Sequence, residues 1–401
     1  MIGIAFGQSY SGQSFGAVVA SSNTNHISAY FQWGDLEPTE GTYNWTALDA
    51  LVAQAAIADV DVLVGVKTQN SWGVAYPAIQ GGSMPNDLDT YYDFVYEMVL
   101  RTDGAVKYWT RDWEAHGSSE DYWSGTLAEY AQIQAQFYAA VKAADPTATV
   151  ILGGHTGVFT GEGVPVDDET MTTVITNCGD YCDAIDVRLY RDFYSIGDRL
   201  DWFQALTDKP IYCTESGGPT PQDFPIQFSA TRAILGGDDL VELWQDALDN
   251  FDILPEQMQM FLSPASDALV AKRNRIEGRD IVCRTILALE AGIQVIWWWN
   301  LQSTTFALGQ HPIFGNLRLT DSSLTPLTPY PYYQAMASCL STATAIERVA
   351  GTNSEVYLYK ITRPSDIVYV IWERRDLWDG EDLPDTTYRF ASTGRQVNCV
   401  S

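Results

Sequence analysis

The chain has 401 residues, 46% of them apolar, and its 51 acidic against 23 basic side chains leave a formal charge of −28. That charge repels phosphate backbones and anionic lipid, and no basic patch overcomes it, so nucleic-acid and membrane-surface binding are excluded. With 13 Trp, 22 Tyr and 15 Phe the chain has the aromatic surface to fold, as one large domain or as a large and a small one.

The opening MIGIAFGQS has no basic segment and reads as a first strand, so a signal peptide is either absent or replaced by Met1. No run reaches the roughly 20 apolar residues of a membrane span. Further apolar runs follow at 26–33, 60–66, 105–110, 148–154, 184–190, 209–215 and 293–299, which with 2–6 makes eight. Stretches with helical spacing lie between them, at 48–56, 88–100, 127–144 and 278–292. Eight strands each followed by a helix predict an α/β fold, a (β/α)8 TIM barrel over residues 1–340, with 216–292 as an oversized connection between the last two strands. From about 345 the alternation of SEVYLYKI, DIVYVIWERR and TTYRFAS has period two, which predicts a small β domain over 341–401. A doubly wound open sheet is the rival, but GQSYSGQSFG at 7–16 lacks the spacing of a dinucleotide loop.

Six cysteines do not make a disulfide scaffold, although Cys178 with Cys182, or Cys339 with Cys399, could pair in an oxidising compartment. His26, His116, His155 and His311 are scattered and there is no CxxC pair, so neither a zinc site nor a cofactor is expected. The single sequon at Asn44 fits a secreted protein.

Chemistry in such a barrel sits where the strands end. The fourth run ends in Thr110-Arg111-Asp112-Trp113-Glu114 and the seventh in Cys213-Thr214-Glu215, on opposite sides of the mouth. Two carboxylates placed so can divide acid and nucleophile roles at a glycosidic bond. Asp112 competes with Glu114 for the acid role. Trp297 and Trp299, two apart at the end of the eighth run, share a face and are candidates for stacking on a sugar ring, as are Trp33 and Trp113, whereas Trp298 packs outward. Arg188 and Tyr190 share a face at the end of the sixth run and are candidates to bond the nucleophile or a sugar hydroxyl.

FQWGDLEPTEGTYNWTALDALVAQA at 31–55, VKYWTRDWEAHG at 106–117 with the helix and strand that follow to 154, and KPIYCTESG at 209–217 resemble segments of the large clan of (β/α)8 retaining glycoside hydrolases. The look is nearest the β-xylosidase and related β-glycosidase families with an appended β domain. The resemblance implies that Glu114 is the acid/base, Glu215 the nucleophile, and that Tyr190 and either Trp299 or Trp297 complete the site. It implies cleavage of β-linked glycans by double displacement with retention. Three positions depart from the pattern. Trp113 stands where an Asn contacts the sugar 2-hydroxyl, Ser28 where strand two carries an Arg, and Arg188 where strand six carries a His.

The expected partner is a neutral β-linked oligosaccharide or polysaccharide such as xylan, mannan or glucan. A uronic-acid polymer would need the positive charge of Arg111, Arg188 and Arg191. The alternative to an active enzyme is a catalytically impaired carbohydrate-binding or structural relative of the same barrel. Oligomeric state, sugar identity and exo or endo action are not encoded in these patterns. The last depends on loops 67–87, 155–177 and 216–280.

Overall fold

A computed structural model describes residues 1–76, 82–111, 123–155, 168–236, 240–302, 315–351, 353–384 and 386–388. Nine strand segments form the barrel: β1 (Ile2–Ser9), β2 (His26–Gln32), β3 (Asp61–Lys67), β4 (Val106–Arg111), β5 (Thr149–His155), β6 (Ala184–Val187), β7 (Leu189–Tyr190), β8 (Ile211–Gly217) and β9 (Ile296–Trp299). All pairings are parallel. The sheet closes because β1 pairs with β9, and β8 pairs with both β6 and β7. β6 and β7 are one stave interrupted at Arg188, so the barrel has the eight staves that the apolar runs predict.

The helices in chain order are α1 (Gly16–Ser21), α2 (Trp33–Leu36), α3 (Thr46–Ala58), α4 (Leu88–Arg101), α5 (Leu127–Ala144), α6 (Asp168–Cys178), α7 (Ile196–Gln204), α8 (Pro225–Leu235), α9 (Leu240–Asp249), α10 (Glu256–Gln259), α11 (Asp267–Glu290) and α12 (Pro329–Leu340). Their sequences show why they form. In α4 the buried Tyr91, Phe94, Val95, Met98 and Val99 recur at helical spacing, and Asp87 caps the first turn by accepting from the amides of Asp89 and Thr90. α5 opens with a reciprocal bond between Thr126 and Glu129.

Strand alternation divides the core in two. Val62, Val64 and Val66 of β3 face the helices, while Leu63 faces the barrel interior with Ile151, Ala184, Val295 and Trp297. A Cβ on Gly3 would lie 2.5 Å from the Trp297 ring, so only glycine leaves room for that indole. The connection between β8 and β9 carries α8 to α11 and its own apolar cluster, in which Trp378 from the C-terminal region packs with Phe224, Met258 and Phe261. After α12 come β10 (Ala345–Arg348), β11 (Val356–Thr362) and β12 (Ile367–Glu373), an antiparallel sheet separate from the barrel. TTYRFAS forms no strand over 386–388, and its remainder lies outside the described residues.

Cys178 and Cys182 are both free thiols, so this pairing is corrected. A turn of 3-10 helix, Gly179–Tyr181, separates them, and Cys182 Sγ lies 3.8 Å from the Gly179 carbonyl. Cys339 is also free, and Cys399 lies outside the described residues. Among the described residues no helix is long and apolar enough to cross a membrane.

Candidate active site at the barrel mouth

β8 carries Glu215 to the mouth in a nearly buried position, 5% exposed. Tyr190, at the end of β7, donates its hydroxyl to Glu215 Oε2 at 3.0 Å. Arg188, at the break between β6 and β7, brings Nη1 into a direct ion pair with the same oxygen. Both partners therefore hold Oε2.

Arg188 also faces Asp186, with Nε 3.9 Å from Oδ2. Asp186 is fixed in turn by the Thr214 amide and hydroxyl, each at 2.6 Å. The guanidinium fits because position 154 is glycine: a Cβ there would lie 2.8 Å from Arg188 Cζ. Burial pushes the Glu215 carboxyl above the usual carboxylate range, and Arg188, the Tyr190 hydroxyl and Lys67 oppose that rise. Asp186 is pushed up to about 6, again by burial, with Arg188 and Thr214 opposing. Tyr30 and Tyr190 are driven well above the ordinary tyrosine range, so both remain hydroxyl donors at neutral pH.

The floor of this mouth is aromatic. Trp299 lies 6.2 Å from Tyr30, ring centre to ring centre, in a cluster with Ala5, Leu317 and Tyr190. Its indole nitrogen, both ends of the Asn300 amide and the Thr110 hydroxyl are buried with no partner among the described residues. Buried polar groups normally find one, so four groups around one mouth are suited to sugar hydroxyls. None of the three sequence patterns singled out Asn300. Its signal would have been its place directly after the Trp triplet.

A second buried ion pair supports the site from behind. Asp280 and Arg284 on α11 meet through two bonds of 2.6 Å, and Arg284 Nη1 donates to the Leu189 carbonyl at 2.8 Å. This fixes the residue before Tyr190 to the helix.

Several predicted residues fall elsewhere. Trp297 is fully buried against His26 and Tyr108 in the barrel interior. Trp33 begins α2 outside the barrel, stacked on Phe94 and donating to Glu37 at 2.6 Å. It belongs to a structural corner in which Glu37 also accepts from the Gly41 amide at 2.7 Å. Trp298 packs outward, its indole donating to the Leu317 carbonyl at 3.1 Å. Arg111 turns away from the mouth, its guanidinium 4.0 Å from the Tyr130 ring centre on α5. Asp112, Trp113 and Glu114 lie outside the described residues, and with them the separation of the two glutamates.

Two of the three departures lie among the described residues. Ser28 leaves strand two without a guanidinium, and Arg188 of the sixth stave is the guanidinium that contacts Glu215.

Residues 17–77 match the profile of a family described as beta-galactosidase, glycoside hydrolase 42. That span includes the segment 31–55 whose motif the sequence shares with glycoside hydrolases. A solved family 39 glycoside hydrolase from Bacteroides cellulosilyticus WH2 has a TM-score of 0.65 at 12% identity, covering 93% of this chain and 70% of that one. A glucosidase from Croceicoccus marinus has a TM-score of 0.56 at 12% identity, covering 90% and 74%. Xylanase XynB from Paenibacillus barcinonensis has a TM-score of 0.53 at 15% identity, covering 84% and 95%. No curated protein matches in sequence. At such identities the shared property is the fold: this is a TIM barrel of the kind used by the retaining glycoside hydrolases, the clan its motifs resemble.

Proposed function

We propose that the chain is a retaining glycoside hydrolase acting on a neutral β-linked glycan, with Glu215 as nucleophile and Glu114 as acid/base. The observation that carries this reading is the buried Glu215 carboxylate held through one oxygen by Arg188 and Tyr190 above an aromatic floor.

In the first step the Glu215 carboxylate attacks the anomeric carbon while Glu114 gives a proton to the leaving oxygen. A glycosyl ester forms and the glycosidic bond breaks. In the second step Glu114 takes a proton from water, water attacks the same carbon, and the ester bond breaks with net retention. Arg188 and Tyr190 keep the attacking carboxylate ionised and oriented, against the rise that burial imposes. Trp299 supplies the stacking face, and the Asn300 amide supplies hydroxyl contacts. Action outside the cell, where such polymers are met, is part of the proposal.

Aryl β-xyloside, β-glucoside, β-galactoside and β-mannoside hydrolysis by the native protein and by Glu215→Ala tests it, at low and high salt. The expected result is turnover of at least one substrate, lost in the variant, with a β-configured first product by NMR. Silence of folded protein across the panel, or an inverted product, contradicts the proposal.

A further inference from the structure

A cavity of about 870 Å3 starts at Arg188 and Tyr190, the two residues on Glu215, and runs to the last strand of the C-terminal sheet and the turn after it. Its lining reverses the charge of the chain. Acids outnumber bases 51 to 23 in the whole sequence, but among the described residues six arginines line this cavity against five carboxylates.

Most of those charges are already engaged. Arg188 is on Glu215, Arg375 is on Glu373 at 2.7 Å, Arg279 is on Glu381 at 3.4 Å, and Arg199 donates to the carbonyls of Tyr190 and Asp192. Among the acids, Asp192 and Asp376 accept from backbone amides of the turns they begin, and Asp223 accepts from Thr220.

Two guanidiniums differ. Arg191 follows Tyr190 with φ +64°, a left-handed conformation that costs energy in a residue with a side chain. Its Nε and Nη2 are held by the neutral Gln222 amide oxygen at 3.1 and 3.0 Å. Arg374, on the C-terminal side, lies with Cζ 4.6 Å from the Tyr194 ring centre. Neither has a carboxylate within ion-pair distance among the described residues.

We propose that this cavity is a subsite for a carboxylate-bearing sugar residue attached to the glycan, with Arg191 and Arg374 as the guanidiniums that bind its carboxylate. The subsite rests on the glycosidase reading and refines it: the backbone unit at Glu215 is neutral, and an acidic unit next to it is read by the arginines. A guanidinium suits this task because its parallel N–H groups match a carboxylate.

The test is calorimetric binding to native protein of a xylo-oligosaccharide bearing glucuronic acid, its methyl ester, and the undecorated oligosaccharide, with hydrolysis of the three followed in parallel. The expected result is about ten-fold tighter binding of the acid than of its ester, falling below two-fold in Arg374→Gln and in Arg191→Gln. Equal affinity of the native protein for acid and ester overturns the subsite, even if both are hydrolysed. A preserved acid preference without hydrolysis supports the subsite and overturns the glycosidase reading.

Discussion

The interior of the barrel floor and the barrel mouth are built by the same staves, yet they are filled by opposite chemistry. On the floor, Trp297, Tyr108 and Tyr212 interlock with His26, whose burial lowers its pKa to about 4 and keeps it neutral. Toward the mouth, Asp186, Arg188 and Glu215 are just as buried but charged, and each is held by a named partner. Rings fill a barrel without penalty, whereas buried ions incur a desolvation cost of several kcal/mol apiece that attraction only partly offsets. A chain that retains ions at one end of its core and excludes them from the other marks the end where chemistry needs them.

The largest expected effect is at Glu215. Glu215→Gln should lower turnover on the order of 10^4-fold, because the amide is not a nucleophile, with the near-UV spectrum unchanged. A loss below ten-fold would place the nucleophile elsewhere. On the floor the largest expected effect is on stability. Trp297→Ala should cost about 3–5 kcal/mol in urea unfolding with KM unchanged, and a KM shift above three-fold would bring Trp297 into the site.

Arg188→Met sharpens the contrast, since it acts on the ionisation of the neighbouring carboxylate. Arg188 favours the ionised form of Glu215, whose pKa burial already raises. Removing it raises that pKa further, so the acid limb of kcat/KM should move to higher pH and kcat should fall by about 10^2-fold. Arg188→Lys should recover part of both. An unmoved limb would mean that Arg188 only packs. The smallest effect is expected for Trp299→Ala: KM up about ten-fold through loss of a stacking face, with kcat within a few-fold.

Much of this was legible in the sequence, and the remainder failed for identifiable reasons. Apolar runs located all eight staves within about three residues, because a parallel barrel strand is buried on both faces and reads as a continuous run. The pairing of Arg188 with Tyr190 on one face followed from period-two alternation, and both meet Glu215. Alternation gives the face but not the depth. Trp297 and Trp299 share a face, yet the two-residue rise along β9 sets one in the barrel interior and the other at the mouth. Trp33 comes one residue after β2 ends, where helical geometry has replaced alternation and turns the ring toward α4. Arg111 followed the same alternation outward, which a bare "polar residue at a strand end" does not reveal.

The most direct test of the central claim is intact-protein mass spectrometry after mixing with an activated 2-fluoro β-glycoside of whichever sugar is turned over, followed by peptide mapping. One added glycosyl mass is expected on the peptide containing Glu215, decaying as activity returns. A protein that turns over the parent glycoside but forms no adduct, or forms it on another carboxylate, would contradict it.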